Sequence, residues 1–302
     1  MKVLVCDPIS ATAVDRMRKC KLEVDVRDTI TADELMEIIP GYDAMVVRSR
    51  TKVRQPLLDR AEKLRYIVRG GVGMDNIDAD HAAAKNVRVL NTPGASTHSV
   101  AELTIAYIFA LARPIVQSTQ SLQDGQWEKK KFEGIEIQGK TLGIIGLGRI
   151  GTAVATRAAG LGMIVLAYDS RTLGPAPYMM MLPLDELLAR SDFITLHVPL
   201  NDSTHHMINA GMIARMKDGV RIVDCARGGV IDEAALYDAL VAGKVAGAAL
   251  DVFENEPLTD YRLFSLPQVI GSPHIGASTR EAVERVGDEV AEILIDLSKE
   301  PC

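Results

Sequence analysis

An α/β architecture of two doubly wound parallel sheets is what this sequence predicts. Two observations lead there. Short apolar runs of strand length alternate with amphipathic stretches of helix length almost from end to end. The alternation comes in two series, separated by the turn-rich stretch "NTPGAS" at 91–96 and a long apolar segment. Strands divided by helical segments pair in parallel through crossover connections. A chain of 302 residues has room for two domains of ordinary size.

In the first series, "KVLVC", "LEVDV", "AMVVR", "YIV" and "VRVL" read as strands. Stretches near 10–19, 31–38, 54–63 and 78–85 read as the helices between them. After the break, "SVAELTIAYIFALAR" (99–113) predicts a helix that is apolar nearly all round and therefore buried. Ser99 and Glu102 have the spacing of a capping box at its start. The second series places strands at 141–145, 163–168, 192–196, 220–223 and 245–250. "QVIGS" at 268–272 adds a last strand, and a final helix runs over roughly 278–298.

Composition narrows the class of function. Forty acidic against 34 basic residues leave a net charge of −6, which argues against a general nucleic-acid surface. Any anion site must be a local cluster of basic groups. No apolar run reaches the ~18 residues of a membrane span. Asp7 and Pro8 interrupt the N-terminal run, so it reads as a strand rather than a signal peptide. Cys6, Cys20, Cys225 and Cys302 show neither paired nor zinc-binding spacing. Reduced thiols, a cytoplasmic protein and no metal are the expectation.

"GLGRIG" gives Gly146, Gly148 and Gly151 in G-x-G-x-x-G spacing. Alone that spacing is weak, since any of the three could be a turn glycine. Here a strand precedes it and a helix follows. A second strand ends on Asp169, 18 residues past Gly151. This is the context of a Rossmann dinucleotide site: backbone against a pyrophosphate at a helix N-terminus, and an acid for the adenosine ribose. A carboxylate at 169 repels a 2′-phosphate, so NAD is favoured over NADP, a preference that Arg171 close by softens.

Arg227 in "CARGGVIDEAAL", Glu256 in "ALDVFENEP" and His274 in "GSPHIGAST" each follow a predicted strand. Singly, each is compatible with a surface ion pair, a solvated acid or a satisfied loop histidine. Together, at strand carboxyl ends beside a dinucleotide fold, they form a chemical set. A histidine can take a hydroxyl proton near neutrality, a carboxylate can orient its ring, and an arginine can grip a carboxylate through two parallel bonds. That set passes a hydride from a 2-hydroxy acid to nicotinamide. His81, His98, His205 and His206 have no such setting, and His197 is assigned to packing.

With these residues in place, the sequence resembles the D-isomer-specific 2-hydroxyacid dehydrogenases over nearly its whole length. "RGGVGMDNID", "NTPGASTHSVAELT", "GKTLGIIGLGRIG", "CARGGVIDEAAL", "ALDVFENEP" and "SPHIGAST" follow the family's order and spacing. Within the family it is most similar to the members that oxidise D-3-phosphoglycerate, which implies a role in serine biosynthesis. The resemblance makes Arg227 the substrate-carboxylate arginine, His274 the acid/base and Glu256 its partner. Asp251 would face the nicotinamide side, Arg149 and Ile150 the pyrophosphate, and Cys225 the cofactor. The backbone at Gly70, Gly71, Val72 and Gly73 would cradle the carboxylate. A flavodoxin-like substrate domain, 1–93 plus 275–302, would hold a Rossmann domain, 94–274, as an insertion. The helix at 99–113 would form a homodimer. Two residues depart from the family pattern: Asp224 stands where asparagine is expected, and Val72 where threonine is common. About 28 residues after His274 leave no room for the regulatory domain many relatives carry, so a short form is expected. A reductase of glyoxylate, hydroxypyruvate or another 2-keto acid, and a non-catalytic dinucleotide sensor, are the alternatives.

The arginines choose among these. Arg48 and Arg69 both end strands of the first sheet, 21 residues apart. A substrate whose carboxylate goes to Arg227 and whose C2 hydroxyl goes to His274 would present its far end to them. Two guanidinium groups suit a phosphate there. Arg50 is set apart by strand alternation. Pairing of Arg48 and Arg69 with Asp75 or Asp78 is the plain alternative.

Overall fold

The computed structural model describes residues 1–171, 174 and 178–300. The expectation for Cys302 falls outside them; Cys6, Cys20 and Cys225 are free thiols. The chain divides into two compact units, Met1–Thr97 with the residues from Ala277 on, and His98–Gly276. The division falls a few residues past the expected boundaries, the first of them inside the helix that begins at Thr97.

The first unit runs β1 (Lys2–Val5), α1 (Ala11–Lys19), β2 (Glu23–Val26), α2 (Ala32–Ile38), β3 (Ala44–Val47), α3 (Gln55–Arg60), β4 (Tyr66–Arg69), α4 (Ala79–Ala84) and β5 (Arg88–Asn91). Its sheet has the order β2-β1-β3-β4-β5 with every pair parallel. The "AMVV" of β3 is buried along its whole length, as a central strand covered on both faces must be. Side chains on one face of this sheet join the apolar stripe of a long terminal helix.

The second unit carries most of α5 (Thr97–Ala112), then α6 (Ile115–Gln123), β6 (Thr141–Ile145), α7 (Arg149–Gly160), β7 (Ile164–Tyr168) and β8 (Met180–Met181). It continues with α8 (Leu184–Arg190), β9 (Phe193–Leu196), α9 (Ala210–Arg215), β10 (Val220–Asp224), α10 (Glu233–Val241), β11 (Val245–Leu250) and β12 (Val269–Gly271). The order β12-β11-β10-β9-β6-β7-β8 is parallel throughout. Strand order reverses between β6 and β9, which leaves a crevice at their carboxyl ends, where ligands of open α/β sheets bind. The terminal helix, α11 (Arg280–Leu297), returns to the first unit.

One local expectation fails. Helix α5 starts two residues before Ser99, so Ser99 is no cap; its Oγ donates to the Gly276 carbonyl at 2.6 Å. The buried hydroxyl found a tertiary acceptor in place of its own helix amides. Helix α6 and the two-residue β8 were not anticipated: α6 continues past Pro114 after a bend of 67°, and β8 is too short to leave a periodic signal. Among the described residues no single helix is long and apolar enough to cross a membrane.

Close packing of α11 on α1 makes one glycine indispensable. A Cβ at Gly287 would lie 2.3 Å from Ser10 Oγ and 2.9 Å from the Ala13 Cβ. Gly287→Val is expected to lower stability by about 1–3 kcal/mol, the usual cost of overpacking, in urea unfolding followed by circular dichroism.

Candidate active site

The glycine loop follows β6. Gly146 has φ of +97°, and a Cβ there would meet the His197 carbonyl oxygen at 2.5 Å. A Cβ at Gly151 would sit 2.0 Å from the Gly146 oxygen, so both positions need glycine. Gly148 is different: it is the N-cap of α7, and a Cβ there meets nothing within 4 Å. The open space lies at the amide end of a three-turn helix, which fits a pyrophosphate. Arg149 is exposed and Ile150 half-buried in the first turn of α7.

Asp169 follows β7, and its Oδ2 accepts from the Leu147 amide at 2.8 Å. The carboxylate therefore pins the glycine loop from the neighbouring strand. Arg171 caps it through Nε and Nη2, both at 2.8 Å, and through its backbone amide at 2.9 Å. Hydrogen bonds from Arg171 hold the carboxyl far below the usual carboxylate range despite its burial. Arg171 is thus a direct partner of Asp169.

His274 and Glu256 meet directly. His274 Nδ1 lies 2.7 Å from Glu256 Oε2, while Glu256 Oε1 accepts from the Phe253 amide at 3.1 Å. Burial works to raise the Glu256 carboxyl, but the bonds from His274 and Phe253 and the charge of Arg227 bring it below its ordinary value. An anionic partner on Nδ1 directs the neutral ring's proton there and leaves Nε2 as the base. His274 itself sits at φ +53°, a left-handed conformation rare outside glycine and asparagine. What holds it is Asp251, only 1% exposed. Its Oδ1 accepts from Ser272 Oγ at 2.5 Å and the Ile275 amide at 2.7 Å; its Oδ2 accepts from the Gly276 amide at 2.7 Å. Asp251, expected toward the cofactor, spends these bonds on the histidine loop.

Arg227 lies in the turn after β10, its Nη1 2.5 Å from the Ala226 carbonyl. Gly228 presses that turn onto the next strand end: a Cβ there would be 1.7 Å from the Phe253 carbonyl oxygen. A second clasp was not foreseen. The His206 amide donates to the Gly229 carbonyl at 2.7 Å, and its Nε2 lies 3.0 Å from Glu254 Oε1. His206 thereby ties the Arg227 turn to the segment that carries Glu256. Cys225 is buried, and burial pushes its thiol well up, which keeps it protonated. His197 packs as expected: burial pushes its ring down to about 3, and Nε2 lies 3.1 Å from Thr195 Oγ1.

In the first unit, Arg48 follows β3 and Arg69 ends β4, and the register pairs Val47 with Arg69. Arg48 therefore stands opposite Gly70, one position beyond Arg69, and a Cβ at Gly70 would lie 3.4 Å from the Arg48 Cγ; alternation starts the two arginine side chains on opposite faces of the sheet. The Arg48 guanidinium makes one long bond, 3.4 Å to the Pro8 carbonyl, and pairs with no acid among the described residues. Arg69 folds back over the next turn: a Cβ at Gly71, where φ is +141°, would be 1.4 Å from its Nη1. A Cβ at Gly70 would meet Val286 at 2.8 Å. Val72 gives its carbonyl to Asn91 Nδ2 at 2.6 Å, and Gly73 continues the same turn, half-buried. Arg50 is structural. It reaches Asp7 Oδ1 at 2.9 Å, the Asp28 carbonyl at 2.8 Å, the Ile30 carbonyl at 3.2 Å and the Cys6 carbonyl. Asp7, also 1% exposed, accepts from the Arg48 amide at 2.5 Å and Thr51 Oγ1 at 2.8 Å. Asn76 Nδ2 holds the same loop from its other side, 2.7 Å from the carbonyls of both Arg48 and Thr51.

Residues 105–276 match the family profile of the D-isomer specific 2-hydroxyacid dehydrogenase NAD binding domain. This chain belongs to that family. It is 51% identical over 298 residues to a hydroxypyruvate reductase of Thermotoga maritima, covering 96% of each chain. It is 49% identical over 303 residues to a D-3-phosphoglycerate dehydrogenase of Archaeoglobus fulgidus, covering 99% of this chain and 58% of that one. The chain thus spans little more than half of that relative. Among solved structures, a D-lactate dehydrogenase of Aquifex aeolicus complexed with NAD and lactic acid superposes with a TM-score of 0.86 at 31% identity, over 99% of this chain and 96% of that one. The matched family domain is an NAD-binding one, and the glycine cradle on α7 with Asp169 beyond it suits that cofactor.

Against the family pattern, Asp224 places a carboxyl where an amide is expected. It is 2% exposed and accepts from the Ala226 amide at 2.7 Å. Burial pushes it up to about 7, with Asp251 adding to that and the turn amides and Arg227 opposing it. The unfolded chain releases this proton near pH 4, the folded one only near pH 7. Between those values the native state binds more protons, so this residue's contribution falls as pH rises. Asp224→Asn should therefore gain a few degrees in Tm over the natural chain at pH 8, and little at pH 5, by calorimetry.

Proposed function

We propose that this dehydrogenase oxidises D-3-phosphoglycerate to 3-phosphohydroxypyruvate with NAD. The observation that carries the reading is the pair Arg48 and Arg69 at the ends of adjacent parallel strands, with the Arg48 loop clamped by Asp7 and Asn76. A plain hydroxyl needs no such pair; a dianionic phosphate does. Arg227 binds the substrate carboxylate. His274 Nε2 removes the C2 hydroxyl proton as the C2 hydride leaves, and Glu256 keeps the ring in the tautomer that can accept it. NAD, when bound, accepts the hydride. Asp169 selects NAD over NADP by repelling a 2′-phosphate, with Arg171 limiting that preference.

A homodimer belongs to this reading. Phe109 on α5 and Ile115, Val116 and Leu122 on α6 are exposed apolar side chains, and Trp127 just beyond is 84% exposed. Such a cluster suits burial against a second copy.

A second reading, reduction of hydroxypyruvate or another unphosphorylated 2-keto acid, has a specific support: the Thermotoga hydroxypyruvate reductase matches along 96% of its own length. Substrate preference separates the two. Arg48→Ala should raise KM for 3-phosphoglycerate by about one to two orders of magnitude, the worth of roughly 1.5–3 kcal/mol per charged bond, and leave turnover of D-glycerate nearly unchanged. A natural chain that uses D-glycerate as well as 3-phosphoglycerate would hand the assignment to the second reading. His274→Asn, chosen because asparagine tolerates the left-handed backbone, should lower kcat by about 10²–10⁴ with either substrate. NAD affinity, followed by fluorescence titration, should stay constant.

A further inference from the structure

Asp224 is a buried carboxyl that the proposed chemistry does not use, yet it sits directly behind the residue that binds substrate. It ends β10, its carbonyl accepts from the Asp251 amide at 2.9 Å, and its register is set by Leu196 on one side and Leu250 on the other. The backbone at Asp224 therefore cannot shift. Its side chain bends into the following turn and accepts from the amides of Ala226 and Arg227. Gly228, jammed against Phe253, closes the far side of that turn. Asp224 also lines a small, part-open pocket together with Gly229, Glu233, Leu236 and Val252.

We propose that Asp224 is the positioning residue of Arg227, and that gain or loss of its proton changes how tightly Arg227 holds a substrate carboxylate. The inference rests on Arg227 being the carboxylate-binding group, which both readings above share. The charged and titratable neighbours fix the direction. Arg227 faces Asp224 from its own turn, with the Cys225 thiol between them in sequence. Asp251 faces it from just past β11, and Glu233 lines the same pocket from α10. On β9, His197 follows the paired Leu196, with its ring nitrogen Nδ1 sealed from solvent. Among these groups Arg227 is the cation whose charge acts on Asp224. When Asp224 holds its proton, no buried anion at the start of the turn competes for the guanidinium, whose charge also acts on Glu256. When Asp224 ionises, a buried anion competes for that charge in a poorly screened site, and a substrate carboxylate is held less well. Burial places this ionisation near neutrality, at about 7. An asparagine at 224 keeps an oxygen acceptor for the turn amides and has no proton to lose.

Hydroxypyruvate and NADH serve as the probe, because this substrate lacks a phosphate; failure of the phosphoglycerate reading then shows separately, as a missing preference for 3-phosphoglycerate. KM for hydroxypyruvate is measured from pH 6 to 8.5 for the natural chain and Asp224→Asn. If substrate binding shifts the Asp224 midpoint by half a unit to one unit, KM of the natural chain rises roughly three- to tenfold more than that of Asp224→Asn over this range. The steps carried by His274 are common to both chains and cancel in the ratio. Superimposable profiles would overturn the proposal. If Asp224→Asn does not fold, calorimetry of oxamate binding to the His274→Asn chain with NADH, in buffers of different ionisation enthalpy at pH 7, reads the same coupling. Fractional proton uptake is expected, and uptake of none, or no oxamate binding at Arg227, would overturn it.

Discussion

Backbone at the carboxyl end of a parallel strand leaves its ladder and must find new partners for its amides. In this protein a buried carboxyl group meets that demand at three of the loops that carry the candidate site residues. Asp7 accepts from the Arg48 loop, Asp224 from the turn that carries Arg227, and Asp251 from the loop that carries His274. All three are 1–2% exposed, and they are the only buried acids among the described residues. A buried carboxylate is costly unless its lone pairs are filled, so each loop and its acid hold one another in place. Remove the acid and the amides are orphaned; move the loop and the charge is.

The same constraint explains why functional side chains sit in conformations that local preference would reject. His274 is held left-handed because Asp251 draws the two amides after it into one carboxylate. Gly71 is needed because Arg69 folds over it, and Gly228 because its turn rests on Phe253. Strain and close approach gather at the strand ends, while β3, β9 and β11 between them are ordinary buried parallel strands. The scaffold is regular so that its rims can be irregular.

Electrostatics at these rims is local. The chain carries a net −6, yet Arg48, Arg69 and Arg227 all stand at strand ends suited to anions. Asp169 does two jobs with one carboxylate: it pins the glycine loop through Leu147 and is capped by Arg171. That capping is a feature of spacing two residues apart, visible as a sequence but with no sign of which partner would win.

Much of this protein could be read from its residues. The alternation of strand and helix lengths was enough for two parallel sheets, because period and length differ so strongly between buried strands and amphipathic helices. The glycine loop was legible because its three glycines, strand, helix and distant acid form one pattern, and the Glu256–His274 pair because both follow strands in one sheet. The anion loop's true supports were not legible. Asp7 reads only as a residue that ends an apolar run, and Arg50 only as an arginine set apart by strand alternation, until folding brings the two together across more than forty residues. Ser99 looked like a cap and became a tether to Gly276. Sequence alone decides what is periodic or local, since neighbouring residues share one backbone. Which acid satisfies which loop is decided by tertiary structure, since only the packed sheet sets strand ends side by side and shuts water out of the competition.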